Sequence, residues 1–292
     1  MNNASLQNAV SGLLGSVVTA ATRALNSTSW IDADSRRLAT LKLKHMKGFL
    51  WPTGRFLNHT VVDKIYSSVS QKPEVFMYYL FKAKEVVRRE SYSNQNWRLP
   101  GLPVSSGVSY RYLFNSISVG MEALMSPSYY HDGSPAINYG GLGYAFALEY
   151  VKAFSGKGVQ LDPVGRFTRW WTPQYEDRYR RHEKCGKWDS IFPEVPAMEV
   201  AFRAYRESFD GEAEGLDLSE KYTGDQVFFM SMCLESCKRD GESIVSHGCN
   251  KAVSNSREFA KAFKCAKGSN MNPATKCSFF GEAGAESSDH EL

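Results

Sequence analysis

The chain has 292 residues, 42% hydrophobic and 23% charged, the composition of a globular protein with one large domain or two smaller ones. Its 35 Lys and Arg against 31 Asp and Glu leave a net charge of +4, too small a surplus to mark a nucleic-acid-binding protein. No stretch reaches the roughly 18 continuous apolar residues of a membrane span, so no span is expected in this chain.

The start, "MNNASLQNAVSGLLGSVVTAATRAL", has no basic leader, and Ser, Thr, Gln and Asn interrupt its apolar run. It reads as a packed helix rather than a signal peptide. Residues 33–50 carry helical periodicity, opening on Asp32 and Asp34 and running toward Gly48. Residues 60–92 read as two more helices and 93–107, rich in Ser, Asn, Pro and Gly, as a loop. "VSYRYLFNSISVGMEALM" alternates and is β-branched and aromatic, which predicts one or two short strands. Residues 138–154, 172–185, 196–209, 220–238 and 255–264 read as helices, and the small, acidic tail 281–292 as disordered. "RYRRHEK" reads as a solvated basic helix face. Asn3, Asn26 and Asn58 each begin an N-x-[ST] sequon and the six cysteines form an even set; both features suit a secreted protein.

The stretch most informative about function is "GYAFALEYVKAF", residues 143–154. Its register Leu148-Glu149-Tyr150-Val151-Lys152 has the spacing at which a zinc peptidase helix carries His-Glu-x-x-His, two imidazoles one turn apart with a general base between them. Leucine has no lone pair to offer a metal, and lysine can ligate only when deprotonated. Taken alone, Glu149 and Lys152 are an ordinary helical pair three residues apart.

The flanking sequence decides between these readings. "INYGGLGYAFALEYVKAFSGKGVQLDPVGRFTRWWTPQYEDRYRRHEKC" resembles, without a gap, the zinc-helix region of the neprilysin and endothelin-converting-enzyme family of zinc metallopeptidases, with Asn138, Tyr139, Gly140, Gly141, Gly143, Phe154, Gly158, Asp162, Gly165, Trp170, Trp171, Thr172 and Cys185 at matching places. The likeness extends to "SWIDADSRRLATLKLKHM", "AFRAYRESF", "LDLSEKYTGDQVFFM", "SNSREFAKAFKC" and "SNMNPATKC". It implies an α+β, mostly α-helical fold: a zincin-like (thermolysin-like) metallopeptidase domain over 105–280 with a small sheet, and a helical segment 1–104 packed on it.

The same alignment puts the family's three zinc ligands on Leu148, Lys152 and Ser190, and leaves only the would-be base, Glu149. The Asp after the zinc helix falls on Ser155, the supporting Asp of the third ligand on Glu194, the substrate-holding Asn on Val108, and the carboxylate-binding Arg at or near Gly248. Glu149 is therefore read as a vestigial general base, with no metal ligand and no cofactor predicted where the family uses zinc. None of His45, His59, His131, His182, His247 and His290 stands at a ligand spacing to its neighbour; His182 is expected on the exposed basic face and His131 and His247 in loops. The resemblance also implies a Cys185–Cys277 disulfide, and matches Cys237 and Cys265 to cysteines whose partners lie in an N-terminal segment absent from this sequence. Cys233 and Cys249 have no counterpart, and the pairing of these four stays open.

Two functions follow. One is a catalytically inactive homologue that binds peptides or a protein partner in the former cleft, as decoy or scaffold. The other is an active zinc metalloendopeptidase cleaving extracellular peptides through an unrecognised site. A truncated product of little independent stability is a further possibility. By resemblance the location is extracellular or in the secretory pathway.

Overall fold

The structure, a computed structural model, describes residues 3–50, 58–69, 76–93, 107–168, 171–209, 221–236 and 247–281. Residues 94–106 of the expected loop at 93–107, residues 282–292 of the expected tail at 281–292, and Cys237 lie outside the described residues. Helix α1 (Asn3–Ser27) buries Val10, Val17, Ala20, Ala21 and Leu25, the stripe that its 3.6-residue period predicts. Helix α2 (Ala33–Lys44) starts at Asp32, whose side chain accepts the Ser35 N–H. The helix stops at Lys44, and Lys47–Leu50 form strand β1, which corrects the reading of helix as far as residue 50. Long-range pairing with β3 supplies what the local pattern could not show. Helices α3 (His59–Tyr66) and α4 (Phe76–Ser93) pack on one another; α3 is capped by the Asn58 side chain and buries none of its own.

Strands β2 (Val108–Arg111) and β3 (Ser116–Val119) appear where the alternation predicts them. β3 lies between β1, which it pairs in parallel, and β2, which it pairs antiparallel. The turn between β2 and β3 is fixed by Asn115 in the left-handed region, its side chain donating to Lys42 O. Lys42 is itself 1% exposed. Its ammonium donates to Gly158 O and, at 2.7 Å, to Leu161 O, tying α2 to the chain just beyond the central helix. Burial pulls its pKa down to about 8, against the field of Asp162.

The central helical run comprises α5 (Pro135–Asn138), a π turn (Tyr139–Gly143), α6 (Tyr144–Tyr150) and a 3₁₀ turn ending at Phe154. Asn138 exchanges two hydrogen bonds with the Tyr130 backbone, accepting its N–H at 2.8 Å and donating to its carbonyl at 2.7 Å. A side chain at Gly140 would collide with Phe228 O, and one at Gly141 with Ser128 O. "NYGG" is thus a packing motif that lets α9 (Gly224–Ser236) and the Ser128 loop lie against the helix backbone.

Helices α7 (Pro173–Glu183), α8 (Glu194–Glu207), α10 (His247–Ser254) and α11 (Arg257–Ala262) complete the fold. Of these, α10 was not foreseen; it packs on α8 and α9 and is tied to α9 by a Cys233–Cys249 disulfide. α8 packs against both α1 and α6. Cys185 and Cys277 form the expected disulfide across 92 residues, a closure on the order of 4–5 kcal/mol in the chain-entropy account. The two cysteines without a counterpart pair with each other, and Cys265 is a free thiol.

The C-terminal segment is anchored by aromatic packing around Phe279, which meets Trp30, Phe154, Tyr179 and Phe192, while Trp30 Nε1 donates to its carbonyl at 2.8 Å. Glu199 of α8 accepts the Phe279 and Phe280 N–H groups at 3.3 and 3.4 Å. Burial outweighs these bonds and raises its pKa from 4.5 to about 7. The protonated carboxyl therefore adds stability that is complete below about 4.5 and lost as pH rises through about 7. Glu199→Gln should melt close to the parent at pH 5 and above it at pH 8; a constant difference between the melts would show that Glu199 titrates as an exposed acid.

Candidate functional site

From Tyr144 to Phe154 every residue is buried except Ala145, Leu148, Glu149 and Lys152. Their spacing of i, i+3, i+4 and i+7 defines one helix face, turned away from the core. The residues at two aligned ligand positions and the aligned base thus share a half-buried surface.

The carboxylate of Glu149 has two partners. Lys152 Nζ donates to Oε1 at 2.5 Å, and the backbone N–H of Tyr110 donates to Oε2 at 3.0 Å. Tyr110 belongs to β2, where Gly120 N–H donates to Gly107 O and the register pairs Tyr110 with Ile117. By the antiparallel alternation the Tyr110 N–H and carbonyl then point away from β3, along the open side of the sheet. Glu149 thereby fastens the edge of the sheet to the helix. The side chains retain 31% exposure at Lys152 and 20% at Glu149, so the pair lies between the weak surface case and a buried one.

The third aligned position, Ser190, lies outside α8, in the turn before it. Its hydroxyl donates to Glu183 Oε1 at 3.2 Å and accepts the Phe192 N–H at 3.2 Å. Lys251 of α10 reaches the same turn, donating to Ser190 O at 3.1 Å and pairing with Glu194 at 2.6 Å. That pair is more enclosed than the first, at 15% and 22% exposure. Each aligned carboxylate, Glu149 and Glu194, therefore faces an ammonium group. Lys251 was missed because its partners lie about 60 residues away and its helix was not foreseen.

Of the other aligned positions, Ser155 caps the central helix, its hydroxyl donating to Lys152 O at 2.8 Å. Val108 is on β2, and Gly248 is on α10 one turn before Lys251. His182 is not on an exposed face. It is 7% exposed, stacked on Trp30 at 4.3 Å, with Nδ1 3.0 Å from Arg178 O, and burial pulls its pKa down. The signal was present: Tyr175, Tyr179 and His182 follow a core spacing that the charged composition of "RYRRHEK" obscures. His131 is exposed beside Asp132.

A zinc ion finds no fitting ligand set at these positions. Leu148 offers no donor atom, Lys152 is committed to Glu149, and the Ser190 hydroxyl is engaged by Glu183 and Phe192. Among the described residues, no three His, Cys, Asp or Glu side chains come together as a metal site.

The profile of peptidase family M13 matches residues 110–195 and 194–279. The chain belongs to this family. Endothelin-converting enzyme-like 1 of Homo sapiens is 26% identical over 293 residues, covering 87% of this chain and 37% of its own length. Neprilysin-2 of Drosophila melanogaster is 24% identical over 299 residues, covering 87% and 38%. The chain thus spans under two fifths of these relatives. Among solved structures, a Haemonchus galactose-containing glycoprotein complex superposes with a TM-score of 0.74 at 20% identity, covering 96% of this chain and 50% of that one. PepO from Lactobacillus rhamnosis gives 0.69 at 16% identity, covering 96% and 48%. Zinc metalloprotease ZMP1 of Mycobacterium tuberculosis gives 0.68 at 17%, covering 93% and 48%. The fold is the mostly helical, zincin-like one with a small mixed sheet.

Removing Lys152 leaves Glu149 with one neutral partner on a half-buried face. Lys152→Ala should destabilise the protein by about 1–3 kcal/mol, and Glu149→Gln should recover part of that loss in the double variant. Additive effects in chemical denaturation would show that the two side chains are not coupled.

Proposed function

We propose that this member of family M13 is catalytically inactive and uses the former substrate cleft to bind peptides or a protein partner, as a decoy or scaffold. The observation that carries this reading is the engagement of Glu149 by Lys152 and the Tyr110 N–H. Peptide hydrolysis of the zincin type requires a metal that brings the pKa of its water toward ~7 and stabilises the oxyanion. With Leu148, Lys152 and Ser190 at the ligand positions, and the carboxylate held by an ammonium, neither effect is available from these residues. The half-buried face of Leu148, Glu149 and Lys152 beside the edge of β2 remains as a binding surface. The two disulfides, Cys185–Cys277 and Cys233–Cys249, support an extracellular or secretory location.

Metal analysis and a peptidase assay test the reading together. The protein should hold less than a tenth of a zinc ion per chain after dialysis and show no chelator-sensitive cleavage of a peptide library. The triple variant Leu148→His, Lys152→His, Ser190→Glu should gain zinc. One zinc per unmodified chain with chelator-sensitive cleavage would refute inactivity and establish the active metalloendopeptidase instead.

A further inference from the structure

The sheet has a second edge, on the side away from the Glu149 contact. β3 lies in the middle, so β1 is an outer strand, and among the described residues no strand pairs with its other side. Lys47 N–H donates to Asn115 O at 3.0 Å, with Lys47 in register with Ser116. By the alternation of a strand ladder, the N–H and carbonyl of Gly48 then point away from β3, to the open edge.

A cavity of about 410 Å³ opens beside this strand, between α1, β1 and α6. The register pairs Gly48 with Ile117 and Leu50 with Val119, which puts these four residues on one face of the sheet. All four line the cavity, as do Phe146 of α6 and Gly15 of α1. Gly15 and Gly48 stand inside a helix and a strand, where glycine lowers stability. Neither has a positive φ, and a Cβ on either would meet no atom within 4 Å. Unlike Gly140 and Gly141, they are explained neither by backbone conformation nor by close packing. What they share is the open space between them.

We propose that β1 binds an extended peptide, which adds an antiparallel strand to the open edge and seats one large apolar side chain in this cavity. The hydrogen-bonding pattern of the edge selects the occupant. A peptide residue opposite Gly48 would donate its N–H to Gly48 O and accept the Gly48 N–H on its carbonyl. Its side chain would then point to the face on which Gly48 has none, where a large cross-strand neighbour covers a glycine well. Val18, Leu50, Ile117, Val119 and Phe146 make the surroundings apolar, which suits an aromatic or aliphatic side chain. An apolar molecule without a peptide backbone would use the cavity and leave the edge unused. The site is at the opposite edge of the sheet from the Glu149 face, so it stands or falls independently of peptide binding there.

The test is a titration of isotope-labelled protein with the peptide acetyl-TTFTT-amide, followed through the backbone amide signals. Saturable shifts are expected at Gly48 and Leu50. Methylating the phenylalanine nitrogen removes the donor to Gly48 O and should weaken binding about tenfold or more. Replacing that phenylalanine by glycine should have a similar effect. Gly48→Val and Gly15→Leu fill the cavity from two walls; each should weaken binding about tenfold without lowering the melting temperature. Gly12→Ala, outside the cavity lining, should leave binding unchanged. Binding that needs the phenylalanine but survives N-methylation would make this a site for apolar small molecules and overturn strand addition. Gly48 shifts that depend on protein concentration alone would place a second copy of the chain on the edge and overturn it too. The absence of saturable shifts does the same, as does a lowered melting temperature in both cavity variants, which would assign the glycines to folding.

Discussion

A carboxylate on a half-buried helix face needs a cation or several N–H donors, and Glu149 has an ammonium on one oxygen and a backbone amide on the other. This contact joins the central helix to the open edge of the sheet. The helix is itself held by close approach: Gly140 and Gly141 admit α9 and the Ser128 loop, and Asn138 locks the Tyr130 backbone. Close packing thus holds the backbone of the helix on its buried sides, while the Glu149–Lys152 pair occupies its half-buried face.

The second ammonium extends the same logic. Glu194, at the start of α8, is met by Lys251 from a helix far along the chain. Both acids have a compensating positive charge, supplied by lysines three residues and about 60 residues away. A charged side chain that lost its partner here would carry a desolvation cost without return, so these pairs preserve the scaffold whether or not any ligand is bound.

What was legible in the sequence is what depends on local order or on an ungapped motif. The strands at 108–119, the helical run at 138–154, the Cys185–Cys277 bridge and the Glu149–Lys152 pair follow from alternation, spacing and family pattern. The misses share a cause in long-range structure. Strand β1 exists because β3 is beside it; α10 is supported by a disulfide and by its packing on α8 and α9. His182 lies under Trp30, in a segment whose charges suggested a solvated face. The Lys251 pair has no local signature at all.

Amide hydrogen exchange at Tyr110 tests the central contact most directly. With Glu149 accepting this N–H on the open side of the sheet, exchange at Tyr110 should be slow in the parent. It should accelerate at least tenfold in Glu149→Ala, while amides in the core of α8 keep their rates. A Tyr110 amide that exchanges at the same rate in both proteins would contradict the account, because the carboxylate would then not be holding the edge of the sheet.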